Sequence, residues 1–162
     1  MAQDEITLKR IQTFHPKYRE WLKELYLEAN NKLLPKGMRL RFTHVLRTIE
    51  EQNKLYNQRP KVTNAKGGES IHNYGLAFDI VILLDKDNNG TFESISYVND
   101  KYWLRIVEFF KSKGFKWGGD FKNFKDTPHF ELSKGRTWRD FKAMKTYTKD
   151  GLTYPILPND FK

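Results

Sequence analysis

A chain of 162 residues with 38% hydrophobic and 15% aromatic residues carries enough apolar mass for one sizeable core, which excludes intrinsic disorder and a second large domain. The absence of cysteine excludes disulfides, thiolate catalysis and cysteine-ligated zinc fingers, so any metal must be held by His, Asp or Glu. The net charge of +9 is concentrated in two windows: 111–125, with five lysines against Asp120, and 133–149, with six basic residues against Asp140.

A basic surface concentrates polyanions, and the readings open to it are a solvated face, nucleic acid, anionic lipid or an acidic cell-wall polymer. Aromatic residues are interleaved with the lysines (Phe115, Trp117, Phe121, Phe124, Trp138 and Phe141), yet no RNP, KH, zinc-finger or helix-turn-helix pattern accompanies them. Nucleic acid is therefore not the expected partner. No apolar run approaches the roughly 20 residues that span a bilayer. The first 30 residues lack the pattern of a secretory leader, so synthesis in the cytoplasm is expected.

Along the chain, apolar residues at three- and four-residue steps predict a helix from Pro16 to Leu34, ended by Pro35-Lys36-Gly37. Arg39 to Arg47 alternates as a half-buried strand, with Leu40, Phe42, His44 and Leu46 on one face. That placement makes His44 a hydrogen-bonded core histidine, and His15 reads the same way. Thr48-x-x-Glu51 is a capping box that opens a short helix, stopped at Arg59-Pro60. A polar loop at 64–69 leads to the most apolar strand, Leu76 to Leu84, followed by a turn at 85–90 and a returning strand at Phe92 to Tyr97.

Asn99 or Asp100 caps a helix that buries Trp103, Ile106, Val107 and Phe110 and closes at Gly114. Short strands at Phe115 to Trp117 and His129 to Leu132 follow. The last predicted element is a basic helix over about Thr137 to Tyr147, ahead of a proline-containing tail. Helices and short strands mix without regular βαβ spacing, which predicts an α+β fold: one domain, with a small antiparallel sheet and flanking helices, its core spanning about 14–147.

The chemistry centres on Asp79, a carboxylate in an otherwise apolar strand. Burying it is costly unless it is paired, hydrogen-bonded or metal-bound. With His72 seven residues earlier and His129 in a later strand, it forms a two-imidazole, one-carboxylate set of the kind that holds catalytic zinc. Asp126, three residues before His129, is placed to serve as general base. The alternatives are a buried cap or ion-pair role for Asp79 and an ordinary loop role for Asp126. Separately, Asp85, Asp87 and Asn89 match the first half of an EF-hand loop, with Ser96 instead of Glu at position twelve and Glu93 as a late donor. That segment reads either as a weak Ca²⁺ site or as a polar turn.

Ser70-x-His72-x-x-Gly75-x-Ala77-x-Asp79, with Asp126-x-x-His129, resembles the signature of the zinc peptidases that cut peptidoglycan stem peptides. These are the D-Ala-D-Ala carboxypeptidases and L-alanyl-D-glutamate endopeptidases, including many phage endolysins. Arg47 and Gln52 match an Arg-x-x-x-x-Gln element of the endolysin-like members. The resemblance implies a fold like that of hedgehog and DD-peptidase domains, with Zn²⁺ on His72, Asp79 and His129 and Asp126 as base and later acid. Arg47 is then expected to stabilise the oxyanion or anchor a substrate carboxylate, Gln52 and Ser70 to bond the peptide, and Trp117-Gly-Gly-Asp120 to line the cleft. Bland readings of three of these stay open: an N-cap for Ser70, a solvent-facing side chain for Gln52, and a simple turn at 117–120.

The implied reaction is cleavage of the L-Ala–D-Glu bond, with D-Ala-D-Ala carboxypeptidase as the alternative and a basic binding module as the non-enzymatic one. The implied partner is the stem peptide, met by a monomer without a separate wall-binding domain. The basic windows are expected to hold acidic wall polymers; the lack of a leader pattern fits either release of the phage or prophage type or a cytoplasmic recycling enzyme.

Overall fold

Strand β2 (Ala77–Leu84) is the axis of the fold. Its run of aromatic, β-branched and leucine side chains suits a strand covered on both faces and hydrogen-bonded along both edges. Along one edge it pairs antiparallel with β1 (Met38–His44). Along the other it is shared by two short strands, β5 (His129–Glu131) near its start and β3 (Ser94–Ser96) near its end. β4 (Lys116–Trp117) completes the sheet beside β5. The computed structural model describes residues 4–92, 94–96 and 100–161. Glu93, Tyr97 and Asn99 lie outside the described residues.

The antiparallel sheet with its helices is the α+β arrangement that the sequence predicts. Helix α1 (Glu5–Ile11) packs on β1, and α2 (Arg19–Glu28) continues through a π-helical turn at Ala29–Leu33, so the predicted first helix begins three residues later than expected. α3 (Ile49–Asn57) opens on the Thr48–Glu51 capping box, and both reciprocal bonds are present. α4 (Lys101–Ser112) is capped by Asp100 and buries Trp103, Ile106, Val107 and Phe110, as the periodicity requires.

The core face of the sheet is a ladder of phenylalanines. Phe42 of β1 stacks on Phe78 of β2 at 4.2 Å, and Phe78 stacks on Phe130 of β5 at 5.3 Å. Phe110 of α4 meets Phe78 edge to face at 5.0 Å. Such cross-strand aromatic pairs contribute roughly 0.5–1.5 kcal/mol each beyond their buried area. The ladder pins the register of three strands, and one residue along each strand the side chains point to the opposite face.

Two expectations are corrected at the C-terminal end. The basic helix stops at Lys142, giving α5 (Trp138–Lys142), and Thr146–Lys149 is strand β6, paired with β7 (Leu152–Pro155). The two are joined by Asp150-Gly151, both at positive φ, the chemistry of a tight two-residue hairpin. The packed core also extends past 14–147 at both ends, because Ile11, Tyr154 and Phe161 are fully or almost fully buried. His15 is structural, its ring bonded to the carbonyl of Pro155 at 2.8 Å and to the Lys17 N–H at 3.1 Å.

Candidate active site

Opposite the phenylalanine ladder, the same three strands present a polar row. The register pairs His44 of β1 with Asp79 of β2, and Asp79 with His129 of β5. His44 is in this row because β1 bulges between Phe42 and His44. The extra residue reverses the facing of the side chains beyond it. His44 is thereby corrected from a core histidine to a cleft residue, its side chain 57% exposed and its Nδ1 3.6 Å from Asp79 Oδ2. Strand alternation predicted the opposite face, and no local composition signal marks the bulge.

His72 reaches the row from the 3₁₀ turn Ile71–Tyr74, which Ser70 caps and which ends at Gly75 in a left-handed conformation. A side chain at Gly75 would also collide with Tyr154 and the backbone of His15. The three ligand atoms form a near-equilateral triangle: His72 Nε2 to Asp79 Oδ1 is 3.1 Å, His129 Nδ1 to Asp79 Oδ1 is 3.2 Å, and the two nitrogens are 3.3 Å apart. A zinc ion with bonds of about 2.0–2.1 Å in a tetrahedron separates its ligand atoms by roughly 3.3 Å, so the residues present fit that ion. Among the described residues this is the one group of three or more His, Asp or Glu side chains that converges in this way.

The remaining ring nitrogens are committed in a manner that frees the right ones. His72 Nδ1 lies 2.8 Å from the carbonyl of Val45, an acceptor only, so it carries the proton and Nε2 is free. His129 Nε2 lies 2.9 Å from Glu131 Oε1, which leaves Nδ1 toward Asp79. Glu131 is a site residue that the sequence reading missed. Its signal is the spacing His129-x-Glu131, which puts both side chains on one face of β5.

The electrostatics follow from this packing. Burial alone would raise the Asp79 pKa, but His72, His129 and His44 around it hold the carboxyl well below its ordinary value. Burial likewise opposes charge on His129, and the Asp79 and Glu131 carboxylates outweigh it, lifting the imidazole to about 9. A cation bound by these three ligands would take the place of the His129 proton. Asp126 moves the other way: partial removal from water and the neighbouring charge of Asp79 raise its pKa.

Asp126 sits in a turn closed by the His129 N–H on its carbonyl at 3.1 Å. Three contacts hold that turn: Asp126 N–H to Gly118 O at 2.9 Å, Ile80 N–H to Pro128 O at 3.0 Å, and Trp117 Nε1–H to Thr127 O at 2.7 Å. A Cβ at Gly118 would collide with the Asp126 carbonyl, and one at Gly119 with the Trp117 ring. The two glycines of the segment expected to line the cleft therefore admit the Asp126 turn and an indole. Trp117, expected to touch substrate, does not line the cleft and supports the turn from beneath.

Arg47 and Ser70 line the cleft, which has a volume of about 610 Å³ and also exposes Lys116, Phe121 and Arg136. Gln52 is 0% exposed. Its Oε1 accepts from Arg47 Nη1 at 3.1 Å and its Nε2 donates to Ala65 O at 2.8 Å. It is neither solvent-facing nor a substrate contact; it orients Arg47. Asn73 adds a second hold, donating to Arg47 O at 2.9 Å and accepting from the N–H groups of Gly68 and Ser70.

The Ca²⁺ expectation finds no support. Asp85 accepts from the N–H groups of Asn89 and Gly90 at 3.0 and 2.8 Å, and Asp87 from Asn89, so the segment is the self-satisfied polar turn.

A family profile described as D-alanyl-D-alanine carboxypeptidase matches residues 63–132, which contain all three triangle residues and Asp126. Peptidoglycan L-alanyl-D-glutamate endopeptidase CwlK of Bacillus subtilis is 40% identical over 127 residues, covering 73% of this chain and 72% of that protein. The chain belongs to this peptidase family. The fold is also that of the Serratia marcescens L-Ala D-Glu endopeptidase ChiX, with a TM-score of 0.53 at 21% identity over 86% of this chain and 92% of that one. As in the family, the chain is a metallopeptidase, and the metal fits His72, Asp79 and His129. No helix among the described residues is long and apolar enough to cross a membrane.

Proposed function

We propose that this peptidase is a zinc-dependent L-alanyl-D-glutamate endopeptidase acting on peptidoglycan stem peptides at the bacterial cell wall. One observation carries the reaction class: a zinc-sized triangle of His72, Asp79 and His129 opens into the cleft that Asp126 and Arg47 also line. The likeness to CwlK supports the choice of bond.

When bound, zinc would polarise the scissile carbonyl and acidify the attacking water. Asp126, its basicity raised by its surroundings, takes the proton as the water oxygen bonds to the carbonyl carbon. It then returns that proton to the nitrogen as the C–N bond breaks. Arg47, held by Gln52 and Asn73, presents its guanidinium to the negative charge on the carbonyl oxygen or to a substrate carboxylate. Ser70 contributes a hydrogen bond to the peptide from the cleft wall.

The basic windows 111–125 and 133–149 place Lys116 and Arg136 on the cleft wall, and attraction of acidic wall polymers to these stretches supports residence on the substrate. The deciding experiment digests purified sacculi with the zinc-loaded protein and with Asp126→Ala, and analyses the products by mass spectrometry. New N-terminal D-Glu ends, reduced about 10²- to 10⁴-fold in rate in Asp126→Ala while zinc content is kept, are the expected outcome. Release of D-Ala in their place would make the protein a carboxypeptidase.

A further inference from the structure

The cleft wall carries a lysine whose cross-strand carboxylate is bonded to a histidine. Lys116 stands directly opposite Glu131 in the β4–β5 pair, the position from which a carboxylate ordinarily takes up a cross-strand charge. Glu131 feels that charge, yet its side chain is committed to His129 at 2.9 Å. The Lys116 ammonium instead lies 5.3 Å over the ring of Phe121, and that ring is 5.9 Å from the His129 imidazole. A cation on a flexible stem is thus held within two ring separations of the metal ligands, facing the same cleft.

We propose that Lys116 is a carboxylate anchor on the amine side of the scissile bond, and that it makes the enzyme select stem peptides with a free D-glutamate α-carboxylate over the amidated D-isoglutamine form. The proposal rests on the endopeptidase reading. In an L-Ala–D-Glu substrate the α-carboxylate belongs to the residue that begins at the scissile nitrogen. An extended chain advances at most about 3.3–3.6 Å per residue, so this carboxylate lies about one residue's length from the reacting carbonyl. That offset calls for a cation on the wall beside the ligand set rather than within it, and Lys116 lies on that wall. A carboxylate gives the ammonium a charge-assisted bond; the amide accepts a hydrogen bond without cancelling the charge. Arg47, on a different segment and already oriented by Gln52, is free to serve the carbonyl oxygen.

The test uses the zinc-loaded full chain with two synthetic peptides, L-alanyl-γ-D-glutamyl-diaminopimelate and its D-isoglutamine counterpart. The parent protein is expected to prefer the acid by about tenfold or more in kcat/KM, the size of one charge-assisted bond. Lys116→Met should erase that preference, mainly by raising KM for the acid, and Lys116→Arg should retain it. An equal loss on both peptides in Lys116→Met, as disturbance of Glu131 and His129 would cause, overturns the proposal, as does a parent protein with no preference. If the parent cleaves neither peptide, the endopeptidase reading fails. Calorimetric binding of the two peptides to Asp126→Asn, with and without Lys116→Met, then decides the anchor separately: a preference for the acid that disappears with Lys116 upholds it, and equal affinities overturn it.

Discussion

Two acidic clusters lie on opposite ends of strand β2, and they come to opposite uses. Just past its C-terminal end, the Asp85 and Asp87 carboxylates accept from groups within five residues of them in sequence, backbone N–H groups or the amide of Asn89. Near its start, Asp79 has imidazoles from three other segments around it. The first cluster has part of the ligand spacing of a known cation loop, and its own turn already donates to its carboxylates. The second has no compact sequence spacing and a triangle that fits zinc. What separates them is whether the carboxylate oxygens are satisfied by their own turn or are held among nitrogen lone pairs that the fold supplies.

The sharpest way to break this contrast is to remove the Asp79 carboxylate. Asp79→Ala should abolish stoichiometric zinc, measured by plasma mass spectrometry, together with activity. It should also remove the rise in thermal stability that zinc confers on the parent, which reaches about 2.7 kcal/mol when free zinc is a hundredfold above its Kd. Retention of one zinc per chain in that variant would falsify the ligand assignment.

The next test addresses the carboxylate behind the imidazole. In Glu131→Gln the His129 ring loses its acceptor of full charge, and zinc affinity should fall about 10- to 100-fold in a chelator competition. An unchanged affinity would mean that the ring is oriented by packing alone, the Phe121 contact included.

A third carboxylate separates burial from metal binding. Asp4 is buried like the cleft ligands but faces a guanidinium, with Arg41 bonding both of its oxygens at 2.9 and 2.8 Å and Thr7 donating at 2.6 Å. Burial alone would raise its pKa; the bonds from Arg41 and Thr7 outweigh that and lower it from its ordinary value. The unfolded chain therefore binds this proton first as pH falls, and the stability contributed by Asp4 is complete above about pH 5 and lost as the pH drops through the folded-state pKa. Asp4→Asn should cost about 1–3 kcal/mol at neutral pH in urea unfolding, flatten the acid limb of the stability profile, and leave zinc content alone. An acid limb as steep as in the parent would assign that slope to other carboxylates.

The smallest effect belongs to the turn. Asp87→Asn, on an exposed side chain, should change stability by no more than about 0.5 kcal/mol and leave both zinc content and the response to added Ca²⁺ unaltered. A calcium-dependent shift in melting temperature that this substitution removes would reverse the comparison.

The α+β class, the apolar faces of α2 and α4, the capping box at Thr48–Glu51, and the five residues Arg47, His72, Asp79, Asp126 and His129 that line one cleft were all legible in the chain of letters. Helix periodicity, caps and a carboxylate stranded in an apolar strand are local or nearly local signals, whereas Arg47 came only through the resemblance to the peptidase signature. Asp150-Gly151 is a hairpin signal that the predicted basic helix and proline-containing tail left unread. The remainder came only with the packed molecule. The bulge lets His44 face the cleft while Phe42, two residues earlier, joins Phe78 and Phe130 in the core ladder. The burial of Gln52 behind Arg47, the indole of Trp117 under the Asp126 turn, and the meeting of His129 with Asp79 depend on segments 5 to 50 residues apart converging at fixed angles. Spacing in a sequence specifies which side chains share a face; which partner each polar atom takes is decided only when the packed sheet brings competing donors and acceptors within about 3 Å of one another.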